Sequence, residues 1–268
     1  MNISYRRFGK LIAVAGVFFV VGLAGFAFAS HSWGPYHWAR TANPFTLKLG
    51  DNVSTVWDGH LATASADWSV SSVLDTTIVA GQFNRNCKPK SGRVEVCNKT
   101  YGNNGWLGIA SIWISGSHIT QGTVKVNDTY FNSSPYNTPA WRQFVMCQEV
   151  GHTFGLDHQD ENFNDANLGT CMDYTNDPDG GVGGASSTDP SNEHPNAHDY
   201  AQLETIYGHP DTFTTVGQTV SQPHGNGNVA EADDAGKVLR KDSKGRPALY
   251  ERDLGKGEKL FTFIFWAE

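Results

Sequence analysis

Cys147-Gln148-Glu149-Val150-Gly151-His152-Thr153-Phe154-Gly155-Leu156-Asp157-His158 is followed a dozen residues later by Cys171-Met172-Asp173-Tyr174. Two histidines six positions apart around a glycine, with a glutamate three before the first, have the spacing of a metal site. On a helix, positions 148 and 152 lie one turn apart and project to the same side. Gly155 suits the left-handed residue that ends such a helix and turns the chain, which lets His158 swing back toward the same point. Glu149 sits beside that face, placed to handle a proton on a metal-activated water rather than to ligate. The competing reading is of two core or surface histidines and a solvated helix glutamate.

The stretch resembles the long zinc signature of the metzincin metallopeptidases, His-Glu-x-x-His-x-x-Gly-x-x-His followed by a Met-turn. One position departs from it, because Gln148 stands where the family has its first histidine. The resemblance implies zinc held by His152 and His158 and completed by the side-chain oxygen of Gln148, a neutral and harder donor than imidazole. Two histidines plus some other group is the alternative. It further implies Glu149 as general base, passing the proton to the leaving amine, and Met172 as an apolar floor beneath the metal. Tyr174 stands where astacin-like and serralysin-like members have a tyrosine able to approach the metal. Its role there is an additional ligand or a donor to the oxyanion; a plain turn residue is the other reading. Residues 199–208, an expected helix ending Ile-Tyr-Gly, and an expected strand over 122–131 ending Tyr-Phe are matrixin-like. The resemblance covers roughly 44–208, and Gln159 matches none of the large subfamilies. It implies an α/β (α+β) fold: a mixed twisted sheet with one long helix, an active-site helix and a Met-turn.

The chain has 268 residues, enough for one good-sized domain and an appendage. A hydrophobic share of 39% with 8 Trp supports a packed core. The net charge of -7, with no basic run beyond the N-terminus, argues against nucleic acid as a partner. Arg6, Arg7 and Lys10 precede an apolar run over 11–29 that ends Ala27-Phe28-Ala29, the pattern of a secretory signal peptide cleaved after Ala29. The same run is just long enough for an uncleaved anchor. Cleavage gives a secreted, extracellular or periplasmic chain with no stable membrane association, expected as a monomer.

Four cysteines in an exported chain suggest two disulfides. Cys87 and Cys97 bracket a polar loop that reads as a stapled hairpin, leaving Cys147 with Cys171 to tie the site helix to the Met-turn. Sequence permits three pairings, and four buried thiols is the remaining alternative. Asp157, Asp160, Glu161, Asp165, Asp173, Asp177 and Asp179 supply oxygen donors of the kind calcium takes, but without EF-hand spacing the run reads as a solvated acidic loop. His194 and His198 read as surface residues.

Strands are expected at 45–49, 73–79, 106–114 and 122–131, with a helix over 54–71. Thr138-Pro139 opens the site helix as cap and first helical residue. The expected organisation is a leader over 1–29, a metallopeptidase-like domain over 30–210, a linker over 211–235 and a C-terminal β extension over 236–268. The last strands are too few to stand alone and should dock on the domain or on a partner. Two functions follow from different classes. One is a secreted zinc endopeptidase acting on protein or peptide; the other is a weak or inactive relative serving as an extracellular binding module, favoured by Gln148. A matrix-binding protein using the C-terminal strands is a third.

Overall fold

The computed structural model describes residues 31–83, 86–181, 188–218 and 236–268. The expected leader and 219–235 of the expected linker lie outside the described residues. The elements in chain order are β1 (His37–Trp38), β2 (Phe45–Asn52), α1 (Thr55–Trp68), β3 (Leu74–Ala80), β4 (Val94–Lys99), β5 (Trp106–Ser115), β6 (His118–Asn127), α2 (Asp128–Phe131), α3 (Pro139–His152), α4 (Ala197–Ile206), β7 (Lys237–Lys241), β8 (Pro247–Gly255) and β9 (Glu258–Trp266).

All strands join one mixed sheet in the order β3-β2-β4-β6-β5-β9-β8-β7, with β1 also on β6. The β3, β2, β4 and β6 strands run parallel. From β5 onward every pairing is antiparallel. The architecture is thus α/β with a mixed sheet and few helices, the expected class.

Local sequence explains the main elements. In β2, Phe45, Leu47 and Leu49 face the core while Thr46 and Lys48 face solvent, the period-two pattern of a half-buried strand. Helix α1 turns Trp57, Leu61, Ala64 and Trp68 inward at helical spacing. Helix α3 starts where Thr138 accepts a hydrogen bond from the Trp141 amide with Pro139 at the first position. Helix α4 opens with a capping box in which Asn196 and Asp199 satisfy each other's backbone amides.

Three segments differ from the expectations. The Cys87–Cys97 loop is not a hairpin: Cys97 lies on β4, a strand inserted between β2 and β6. Only Val94 and Val96 marked it as a strand, because Arg93 and Glu95 look solvated yet are buried as an ion pair. The strand expected over 122–131 begins earlier, at His118, and stops at Asn127, whose side chain accepts from the Thr129 amide and starts α2. Within the expected linker, residues 211–218 are bound along the domain, with amides of Asp211, Thr215 and Gly217 donating to carbonyls of Arg40, Ala39 and Gly92.

The C-terminal strands complete the sheet. Strand β9 lies along nearly the whole of β5, so β5 is buried at every position but its last. Trp106, Ile109 and Trp113 of β5 and Tyr250, Leu260 and Ile264 of the extension form a second, smaller core. No helix among the described residues is long and apolar enough to cross a membrane.

Candidate metal centre

Helix α3 carries Gln148, Glu149 and His152 through its last turns, and all three are buried to within 1%. Gly155 then turns the chain at φ +99°, with the Tyr36 carbonyl oxygen 2.6 Å from where a Cβ would sit, so both conformation and space require glycine. The turn returns His158 to the helix end, where its Nε2 lies 2.9 Å from Nε2 of His152.

The far nitrogen of His152 fixes that ring's tautomer. His152 Nδ1 lies 2.9 Å from the Leu156 carbonyl, which can only accept, so Nδ1 carries the proton. His158 Nδ1 lies 3.3 Å from the Glu161 carboxylate and 3.4 Å from Nη2 of Arg240, an acceptor on one side and a donor on the other. The two Nε2 atoms face each other at hydrogen-bond distance: a proton on His158 Nε2 donated to the His152 lone pair joins them, and so does a cation that takes both lone pairs. Burial, reinforced by the neighbouring His158, holds His152 well below the ordinary histidine range. Burial, reinforced by Arg240, pulls His158 down to about 3. Neither ring holds an extra proton near neutrality.

Two further side chains are left with orphaned atoms. Gln148 donates its amide to the Asp173 carbonyl at 2.9 Å, so its Oε1, buried and without a partner, is the atom left over. Both oxygens of Glu149 lack a hydrogen bond of good geometry. Desolvation pushes this carboxyl well above the usual range, the backbone of Ala110 offsetting part of it. Glu149 lies against Gly108 of β5, where a Cβ would stand 2.4 Å from Oε1. Two imidazoles whose Nε2 atoms converge, with the orphaned Gln148 oxygen one helical turn from His152, are donors of the kind that zinc takes.

The remaining candidates surround this group. Met172 packs beneath the helix turn that bears His152: a Cβ on Gly151 would meet its Sδ at 2.6 Å. The Met172 carbonyl accepts from the Gln159 amide at 2.6 Å, and Cys171 is joined to Cys147, so the turn is tied both to the helix and to the segment that carries His158. Tyr174 sets its ring edge-on to His158 at 4.4 Å between centroids. Its hydroxyl does not meet the imidazoles but donates to the Ile264 carbonyl of β9 at 3.1 Å. Asp157 and Glu161 meet a guanidinium: Arg240 of β7 grips both Asp157 oxygens, at 2.5 and 2.6 Å, and also pairs with Glu161. Asp173 binds the Leu168 amide and the Asn192 side chain, and burial pushes it up to about 6. His194 pairs with Asp67, and His198 stacks on His31.

Strand β9 closes the site from the sheet side. Phe263 stacks on His152 with ring centroids 4.3 Å apart and planes 10° from parallel. Phe265 leans on Tyr174 and Phe144, and Phe261 packs on Trp33 and Tyr36. Sequence reasoning missed Phe263, Arg240 and Gly108. Alternate phenylalanines at 261, 263 and 265 signalled a strand with one buried face but not what it covers.

No protein-family model matches the sequence, and no curated protein matches it. Among solved structures, the chain is similar to high choriolytic enzyme 1, a hatching enzyme zinc-protease from Oryzias latipes (medaka fish). The likeness has 11% identity and a TM-score of 0.36, covering 64% of this chain and 94% of that one.

Proposed function

We propose that this chain is an exported zinc-dependent peptidase whose own C-terminal strand keeps its site closed. The observation that carries the reading is the convergence of the Nε2 atoms of His152 and His158, 2.9 Å apart in a buried setting, with a lone pair on the His152 atom. The unpartnered Oε1 of Gln148 supports its role as a third donor. Zinc bound there supplies Lewis acidity and brings the pKa of a water down to about 7.

The chain's own residues supply the rest. Glu149 sits dry, with its pKa raised by burial, which suits a group that takes a proton from water and hands it to a leaving amine. The Tyr174 hydroxyl already donates to a main-chain carbonyl of an extended strand, and the same bond would hold a substrate carbonyl as it gains negative charge. With β9 away, β5 presents a row of unpaired backbone groups beside the site, an edge on which an extended peptide can add as an antiparallel strand. Two disulfides accord with an oxidising compartment outside the cytosol.

A second reading, an inactive binding module, is favoured by Gln148 itself, since an amide oxygen is a weaker zinc donor than imidazole. The test is a peptide-library digest by zinc-loaded protein carrying a specific protease site between 219 and 235, before and after cleavage there. The peptidase reading expects hydrolysis that rises on cleavage and is lost in Glu149→Ala. Activity unchanged in Glu149→Ala refutes it; activity that arises only in Gln148→His supports the binding module.

A further inference from the structure

A second group of metal-ligating side chains lies outside the site above. His37 of β1, His118 at the start of β6 and Asp211 after α4 bring one donor atom each to within 4.8 Å of one another. His37 Nδ1 lies 2.8 Å from the Pro35 carbonyl and donates to it, which turns Nε2 toward the Asp211 carboxylate. That Nε2 lies 3.4 Å from each of the two Asp211 carboxylate oxygens. His118 Nε2 lies 3.2 Å from Oδ1 of that carboxylate. Around a four-coordinate zinc, with ligand bonds of about 2.0–2.2 Å, neighbouring donors stand roughly 3.3–3.5 Å apart. The two distances here fall close to that edge length.

The surroundings match a metal ligand set. Arg40 takes the other carboxylate oxygen, donating from Nη1 to Oδ2 at 2.8 Å and from its backbone amide at 3.2 Å, which orients Oδ1 toward the histidines. His37 and Asp211 expose only 7% and 10% of their side chains and His118 20%, so the group is sheltered yet reachable. His37 also lines an open cleft of about 390 Å³ with Ser117 and His209, and the His209 ring stands edge-on to His37 at 4.9 Å between centroids.

We infer that His37, His118 and Asp211 form a second binding site for a zinc-class divalent cation, separate from the centre on α3. Two imidazoles with a single carboxylate suit a borderline transition cation; calcium requires several oxygen donors. Three protein ligands leave a fourth position for water. The bound ion clamps three segments distant in sequence: the N-terminal stretch, the β5–β6 turn and the chain leaving α4. The inference does not depend on the peptidase reading, because none of these residues belongs to the catalytic group.

The experiment is zinc stoichiometry of the full chain, stripped with chelator, reloaded with Zn²⁺, freed of excess metal and measured by mass spectrometry. His118 is the most exposed of the three, so His118→Ala is the main variant and His118→Gln the conservative one, with circular dichroism to check the fold. The expected result is loss of one zinc equivalent in His118→Ala, both in the parent chain and in a His152→Ala background, with affinity at this site lowered by at least about 100-fold. Cobalt substitution gives a second readout: the tetrahedral visible bands of the His152→Ala chain disappear when His118→Ala is added. Equal zinc content in folded His118→Ala and parent overturns the site, as does an unchanged cobalt spectrum. If His152→Ala binds as much zinc as the parent while His118→Ala loses its equivalent, the second site stands and the catalytic reading falls.

Discussion

Phe263→Ala tests the closure directly. Phe263 is 1% exposed, stacks on His152 at 4.3 Å, and belongs to a strand paired with β5 along its length. Deleting a buried phenylalanine costs about 3–5 kcal/mol, part of it from the cavity left behind. The ring is a tie between β9 and the metal-centre helix, so the loss falls on the docked state of the strand. At about 1.4 kcal/mol per decade, the fraction of molecules with β9 detached rises by roughly two to three and a half decades. Native-state hydrogen exchange of the β9 amides reads that opening, and hydrolysis of a quenched peptide library by the zinc-loaded protein reads access to the site. Both rates should rise together, by at least about 100-fold, in protein that remains folded. Faster β9 exchange with hydrolysis still at background refutes the idea that the strand is what withholds the site. Unchanged exchange refutes the packing argument.

The metal-free protein should lose stability in acid. His152 and His158 are held neutral in the fold, chiefly by burial, His158 with a pKa of about 3 against 6.5 ordinarily. With folded values depressed, the unfolded chain takes the protons, so stability is intact above about pH 6.5. It falls as pH drops toward about 3, by ~1.4 kcal/mol per unit and per histidine. Glu149 acts oppositely: its raised folded pKa makes stability decline as pH climbs from the ordinary carboxylate range through the raised value, and Glu149→Gln removes that decline. Urea midpoints of chelated parent and Glu149→Gln separate the two limbs: a flat profile between about pH 4 and 6.5 in Glu149→Gln contradicts the histidine limb, and identical profiles in the two proteins contradict the Glu149 limb. In Gly108→Ala, a Cβ would meet Glu149 Oε1 at 2.4 Å and Val145 Cγ1 at 2.7 Å. It should destabilise by about 1–3 kcal/mol and lower kcat more than it raises KM; full activity would mean that Glu149 is not held there for chemistry. Gln148→His should raise zinc affinity at least about tenfold in chelator competition, and a fall would count against a ligand at this position.

What the sequence disclosed was local. The start of α3 is written in Thr138-Pro139, and Gly155 dictates the return of the chain, so His152 and His158 could be paired from a run of a dozen residues. The closing contacts come from pairing across the chain. Gly108 and Phe263 meet the centre from β5 and β9, and Arg240 reaches Asp157 from β7, none with a nearby sequence mark. Alternating phenylalanines declared a strand without its address, because every sheet edge accepts the same pattern. His37, His118 and Asp211 escaped notice for the same reason: three segments supply one ligand each. Strand β4 hid behind charges that only the folded ion pair of Arg93 and Glu95 makes tolerable in the interior.

The most direct measurement is zinc K-edge absorption on a His118→Ala chain loaded with zinc, compared with the same chain carrying His152→Ala. The account predicts two imidazole nitrogens at about 2.0–2.1 Å with oxygen donors completing the sphere, and loss of that zinc in the second chain. A folded His118→Ala chain that retains no zinc, or a spectrum that His152→Ala leaves unchanged, would contradict it.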